Sequence, residues 1–115
     1  RQKALEAHGA DVRVIHRVLD VTDEHAVRGC VADILGEYGR LDGVIHSAGL
    51  IRDNYVIRKS DSEFRDVLDP KVRGTVFLDR ATSAVDLDFF ICFSSLSGVV
   101  GNLGQSDYAL ANGFM

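Results

Sequence analysis

The chain has no tryptophan, one proline, one methionine and two cysteines among its 115 residues. With 46% hydrophobic and 26% charged residues beside that single proline, it is neither a fibrous nor a disordered sequence. Its length suits one small domain. Cys30 and Cys92 lack the CxxC spacing of a metal or redox motif, and each lies in an apolar stretch. Both are expected as buried free thiols in a reducing compartment. No Cys, His or acid stands at ligand spacing from His46, so no metal site is expected. No apolar run approaches the roughly 18 residues of a membrane span. No basic-then-apolar leader opens the chain, so no signal peptide is expected and the location is read as cytoplasmic. An excess of positive charge is also missing. The net charge of −4 and pI near 5.4 disfavour binding to nucleic acid or to an anionic membrane. There is no internal repeat.

What is present is alternation of two periodicities. Residues 1–8 read as the end of a helix stopped by Gly9. Residues 11–18 (DVRVIHRV) read as a strand. Asp20 to Glu24 offer a helix N-cap with acids in the first turn. The stripe Ala26, Val27, Cys30, Val31, Ile34, Leu35, Tyr38 then gives one apolar helix face, ended by Gly39. A short buried strand is expected over 42–48, then a polar loop at Arg52-Asp53-Asn54. Ser60-Asp61-Ser62-Glu63 has the pattern of a capping box. Pro70 should interrupt the helix it starts, with a second helix from 70 to 83. Residues 87–93 (LDFFICF) read as a strand buried on both faces. Gly98, Gly101 and Gly104 mark a flexible loop, and a last helix begins near Gln105. Strands alternating with helices predict an α/β fold with a parallel sheet.

The chemistry concentrates near the end. Ser95 closes a strand, where open α/β sheets place ligands. Thirteen residues later comes Tyr108, with Asn112 four further on and on the same helix face. A serine hydroxyl can hold a carbonyl oxygen while a tyrosine hydroxyl protonates it. Tyrosine titrates near 10 unless a cation lies close. Taken singly, Tyr108 also reads as a packing residue, Ser94-Ser95 as a plain strand end and Lys71 as a solvated surface group.

Together these residues resemble the short-chain dehydrogenase/reductase superfamily, over essentially the whole chain. One exchange narrows the resemblance to the ketoreductase domains of modular polyketide synthases. Asn112 stands where most members of the superfamily have Lys, and Lys71 lies in Pro70-Lys71-Val72-Arg73-Gly74, similar to the stretch where such ketoreductases carry theirs. The resemblance implies a catalytic set of Lys71, Ser95, Tyr108 and Asn112. It implies cofactor contacts from Asp20 and Val21, in the post-strand acidic motif, and from His46, Ser47, Ala48 and Gly49 at the next strand end. Ile51-Arg52-Asp53 keeps the last Asp of the Leu-Asp-Asp element of ketoreductases that make the D (3R) alcohol. The Trp of the opposite type is replaced by Val100. The glycines at 98, 101 and 104 are not the dinucleotide motif, which belongs after a first strand.

The implied fold is the central portion of a Rossmann-like parallel sheet with flanking helices, lacking the N-terminal βαβ unit. Both ends read as cut, leaving residues 1–115 as a partial domain. The implied reaction is NADPH-dependent reduction of a 3-oxoacyl thioester on an acyl carrier protein, beside neighbouring synthase domains. A stand-alone or fatty-acid-type reductase, or a catalytically silent segment, are the alternatives. In such a sheet a gap of two strands should separate 11–18 from 42–48, unless the two pair directly. The chain by itself is expected to be inactive and poorly folded.

Overall fold

A computed structural model describes residues 13–115. The expected helix over 1–8, its stop at Gly9 and the first two residues of the expected strand lie outside them. Four α-helices and two strands follow in the order α1 (Glu24–Tyr38), β1 (Gly43–His46), α2 (Asp61–Thr82), β2 (Phe89–Cys92), α3 (Ser97–Val100) and α4 (Ser106–Phe114). A 3-10 turn, Val56–Arg58, precedes α2. β1 and β2 pair in parallel, from Gly43 opposite Phe89 to His46 opposite Cys92. A parallel pair needs a crossover, and α2 supplies it. This is an α/β arrangement built on a parallel sheet, as the alternating periodicity predicts.

Local signals fix the helix ends. The Asp23 carboxylate accepts from the Ala26 N–H at the start of α1, and Gly39 closes the helix at φ 75° with its N–H on the Leu35 carbonyl. Such a cap is worth about 1 kcal/mol. At α2 the capping box forms in both directions: Ser60 Oγ accepts from the Glu63 N–H, and Glu63 Oε2 accepts from the Ser60 N–H. The Ser60 N–H and, next, the Ser60 hydroxyl, both donating to Glu63 Oε2, hold the Glu63 carboxyl below its usual range.

Pro70 does not break the helix. Asp61–Thr82 is one continuous helix with the proline inside it. The carbonyl that loses its donor belongs to Asp66, an exposed residue. The face carrying Val67, Lys71, Gly74 and Phe77 is buried without interruption across the proline. Burial along that face outweighs one missing backbone bond. α2 packs between α1 and α4. Val27, Val31, Val67, Phe77 and Ala111 form the buried apolar core.

Further expectations are corrected. Residues 13–18 form no strand among the described residues. Arg17 instead pairs with Asp33 and Glu37 of α1, and Ile15 and Leu19 share a groove with Cys30, Ile34 and Tyr38. The apolar stripe of α1 is therefore divided. Val27 and Val31 are buried, while Cys30 and Ile34, toward residues 13–19, are half-buried. β2 is not buried on both faces: Phe89 and Ile91 stay 43% and 45% exposed. The two cysteines are free but only half-buried. The glycine-marked loop contains α3. Gly101, at φ 71°, ends that helix with its N–H on the Ser97 carbonyl. Among the described residues no helix is long and apolar enough to cross a membrane.

Candidate functional site

Lys71 is the centre of the site. The capping box sets where α2 begins, and residue 71 falls on its buried face, 4% exposed. Its Nζ donates to the Phe93 carbonyl at 2.7 Å, just beyond β2, and lies 3.5 Å from Met115 Sδ, just beyond α4. No carboxylate pairs with it among the described residues. A buried ammonium held by a carbonyl and a thioether keeps its positive charge available to a developing anion.

The strand end and α4 meet this lysine. Ser94 Oγ donates to the Asn112 carbonyl at 2.7 Å, tying the segment after β2 to the helix. Gly98 of α3 presses on the same place: a Cβ there would sit 2.9 Å from the Asn112 carbonyl carbon and 2.9 Å from the Gly113 nitrogen. Ser95 Oγ accepts from the Ser97 N–H at 3.2 Å, which leaves its own proton free to donate. The Tyr108 phenol has no hydrogen-bond partner among the described residues. Asn112 is 2% exposed, and its Nδ2 donates to the Tyr108 carbonyl at 2.7 Å. Its Oδ1 is buried with no donor on it. Buried acceptors are rarely left so. Lys71, the Ser94-Ser95 segment and the Tyr108–Asn112 face are thus joined at the carboxyl end of β2, the end where open α/β sheets bind ligands.

The residues suggested for cofactor contact flank this cluster. Gly49, after β1, lies against the lysine stem: a Cβ there would stand 3.1 Å from Lys71 Cε. Ser47 is exposed and Ala48 half-buried beside it. The His46 ring turns inward, 2% exposed, with Nε2 3.1 Å from the Pro70 carbonyl. Burial, reinforced by the Lys71 charge and opposed by the Pro70 carbonyl, holds it below the ordinary imidazole range. It is a neutral packing group that locks β1 to α2, and only its backbone faces the strand end. Val21 packs near it, since a Cβ on Gly74 would meet both Val21 and the His46 ring at 3.2 Å. Asp20 is exposed and accepts from the Thr22 N–H and hydroxyl, which lower its pKa. The bare backbone at Gly49 permits close approach of a ligand. No G-x-G-x-x-G loop for the pyrophosphate occurs in the chain.

Asp53 and Val100 lie at the rim. The Asp53 carboxylate accepts twice from Gln105 Nε2, at 3.0 and 3.2 Å. Val100, at the end of α3, is 70% exposed. Sequence reasoning missed Gln105, Ser94 and a buried ion pair, Lys59–Asp107, whose side chains are 2% and 1% exposed. Nothing in the sequence joins residues 48 positions apart. The one available signal was an acid in the first turn of a helix. A separate groove, between Leu35, Leu41, Asp42 and Val85, lies at the amino end of the strands, away from this chemistry.

The whole chain, residues 1–115, matches the family model described as KR domain. Polyketide synthase PksN of Bacillus subtilis (strain 168) is 51% identical over 98% of the chain, which spans 2% of that protein. A solved ketoreductase domain from the bacillaene assembly line is 48% identical, with a TM-score of 0.93 over 98% of this chain and 27% of that one. A short-chain dehydrogenase from Streptomyces avermitilis is 28% identical, with a TM-score of 0.82 over 97% of this chain and 42% of that one.

Proposed function

The chain belongs to the ketoreductase (KR) domain family of polyketide synthases, and on that premise we propose that it carries the catalytic centre of a domain that reduces a 3-oxoacyl thioester to the 3-hydroxyacyl thioester. The substrate is held on an acyl carrier protein, in the cytoplasm, among neighbouring synthase domains. Bound NADPH supplies two electrons and a hydrogen to C3 of the substrate. The chain's own residues handle the oxygen. Ser95 donates its free hydroxyl proton to the carbonyl oxygen. Tyr108 transfers its phenolic proton to the forming alkoxide. Lys71 favours the phenolate left behind and helps replenish its proton. Asn112, with a buried acceptor still unserved, supports the relay that returns it.

The observation that carries this reading is Lys71: a buried cation with no carboxylate paired to it among the described residues, between the Ser95 strand end and the Tyr108 helix. A structural lysine would be paired or solvated. Cofactor contacts fall to the backbone of 46–49 and to Asp20 and Val21. The D (3R) configuration is proposed for the product, from Asp53 and from Val100 where the opposite type carries Trp. The test is Tyr108→Phe in the intact domain, assayed with NADPH and a 3-oxoacyl thioester. Turnover should fall about 10²–10⁴-fold with folding and NADPH affinity unchanged. Near-parental turnover would remove Tyr108 from the mechanism. Chiral analysis of the parent's product should give 3R, and a predominant 3S alcohol would reduce Asp53 to a loop acid.

A further inference from the structure

Asp107 precedes Tyr108 and is the most buried charged side chain among the described residues, 1% exposed. Helix α4 begins without a side-chain N-cap: Gln105 donates its Nε2 to Asp53 and accepts on Oε1 from Ser97 and Asn102. The first N–H groups of a helix have no partner inside it. One of them belongs to Tyr108, and Asp107 Oδ1 accepts from it at 2.9 Å. The other carboxylate oxygen, Oδ2, receives Lys59 Nζ, which also donates to the Arg52 carbonyl. Lys59 adjoins Ser60, the N-cap of α2. One carboxylate therefore links the backbone of Tyr108 to the start of the helix that carries Lys71. The neighbouring loop is clasped in the same sense: the Asn54 N–H donates to the Gly104 carbonyl at 2.9 Å.

We propose that the Lys59–Asp107 pair is a positioning device for Tyr108. It fixes the first turn of α4 relative to α2, and so the phenol relative to the Lys71 cation. The proposal rests on the reading of Tyr108 as the acid. Stability alone is a weak reason for such a pair. Replacing both members of a buried ion pair by apolar residues is often neutral or stabilising. Position is a stronger reason, since a misplacement of about 1 Å can cost on the order of 10²-fold in rate. Charge adds to it. An unneutralised carboxylate beside Tyr108 would oppose ionisation of the phenol, and Lys59 cancels that effect.

The experiment is the double variant Lys59→Met with Asp107→Leu in the intact domain, measured for thermal midpoint, kcat, KM for both substrates and the pH dependence of kcat. The midpoint should hold. kcat should fall by more than about tenfold with little change in either KM. The alkaline limb should move to higher pH, because a phenol displaced from its cation ionises less readily. A smaller fall in kcat overturns the proposal, and so does a fall with an unmoved limb, which would mark general packing. If the apolar pair does not fold, Lys59→Met with Asp107→Asn removes both charges and the tie to α2 while leaving an acceptor for the Tyr108 N–H, and is read the same way. Tyr108→Phe run alongside separates the two readings. Parental turnover in that variant defeats the acid assignment, whereas a dead Tyr108→Phe beside a fully active double variant defeats only the positioning role.

Discussion

At the scale of single residues, burial and charge pull against each other at Lys71 and His46. Lys71 is buried with a carbonyl and a thioether for partners. Lys71→Met keeps the stem and removes the charge, so the folded state should lose little and the thermal midpoint should hold or rise. The chemistry should not survive so well. Without the charge proposed to favour the phenolate of Tyr108, kcat should fall. An unchanged kcat would take the charged role away from Lys71. His46 offers a second test. Its folded pKa lies below the unfolded value near 6.5, chiefly through burial. The unfolded chain therefore binds the proton first as pH falls. The contribution of His46 to stability is complete above about 6.5 and is lost as pH drops from there toward the folded value. Proton NMR should show the His46 resonance titrating below that reference. A midpoint at or above it would contradict the buried, Pro70-bonded ring.

At the scale of elements, glycines with similar sequence contexts divide by what surrounds them. Gly98 lies in α3 against the backbone of α4, where a Cβ would meet main-chain atoms at 2.9 Å. Gly29, inside α1, has nothing within 4 Å of the same position. Gly98→Ala should cost about 1–3 kcal/mol, as overpacking against atoms that cannot rotate away. It should also lower turnover, because α4 carries Tyr108. Gly29→Ala should stabilise by roughly 0.5–1 kcal/mol through a less flexible unfolded chain and better helix propensity. Urea denaturation of the two variants separates them, and equal effects would mean that α3 does not bear on α4. Pro70 teaches the same lesson from the other side. Its missing N–H reads as a break in the sequence, yet the continuous face of Val67, Lys71, Gly74 and Phe77 keeps α2 whole.

At the scale of the whole molecule, much apolar surface is unmatched. Ile45 is 60% exposed, Phe93 57% and Val18 94%, and the sheet has two strands among the described residues. The radius of gyration, 16.4 Å, exceeds the roughly 13 Å of a compact chain of this length. The chain spans 27% of a solved ketoreductase domain that it matches at a TM-score of 0.93. Residues 1–115 expressed by themselves should therefore bind a hydrophobic dye, melt without a cooperative transition and fail to bind NADPH. A sharp melt with micromolar NADPH affinity would overturn that expectation.

The sequence by itself determined the elements whose causes are local. The α1 and α2 starts were written in Asp23 and in Ser60 with Glu63, and the α1 end in Gly39, because a cap depends on residues three or four apart. The family resemblance that rests on Lys71 and Asn112 was also legible, since it needs only residue types in a familiar spacing. Tertiary structure alone decided what depends on distant partners. Whether 13–18 would be a strand required a neighbour to complete its ladder. Whether α2 would survive Pro70 required a buried face on both sides of it. The Lys59–Asp107 pair, the Gln105–Asp53 contact and the Ser94 bond to Asn112 join positions far apart in the chain, and no periodicity carries that information. Whether a lysine is a solvated surface group or a buried charge is set by the elements that close around it, and at Lys71 those are the ends of β2 and α4.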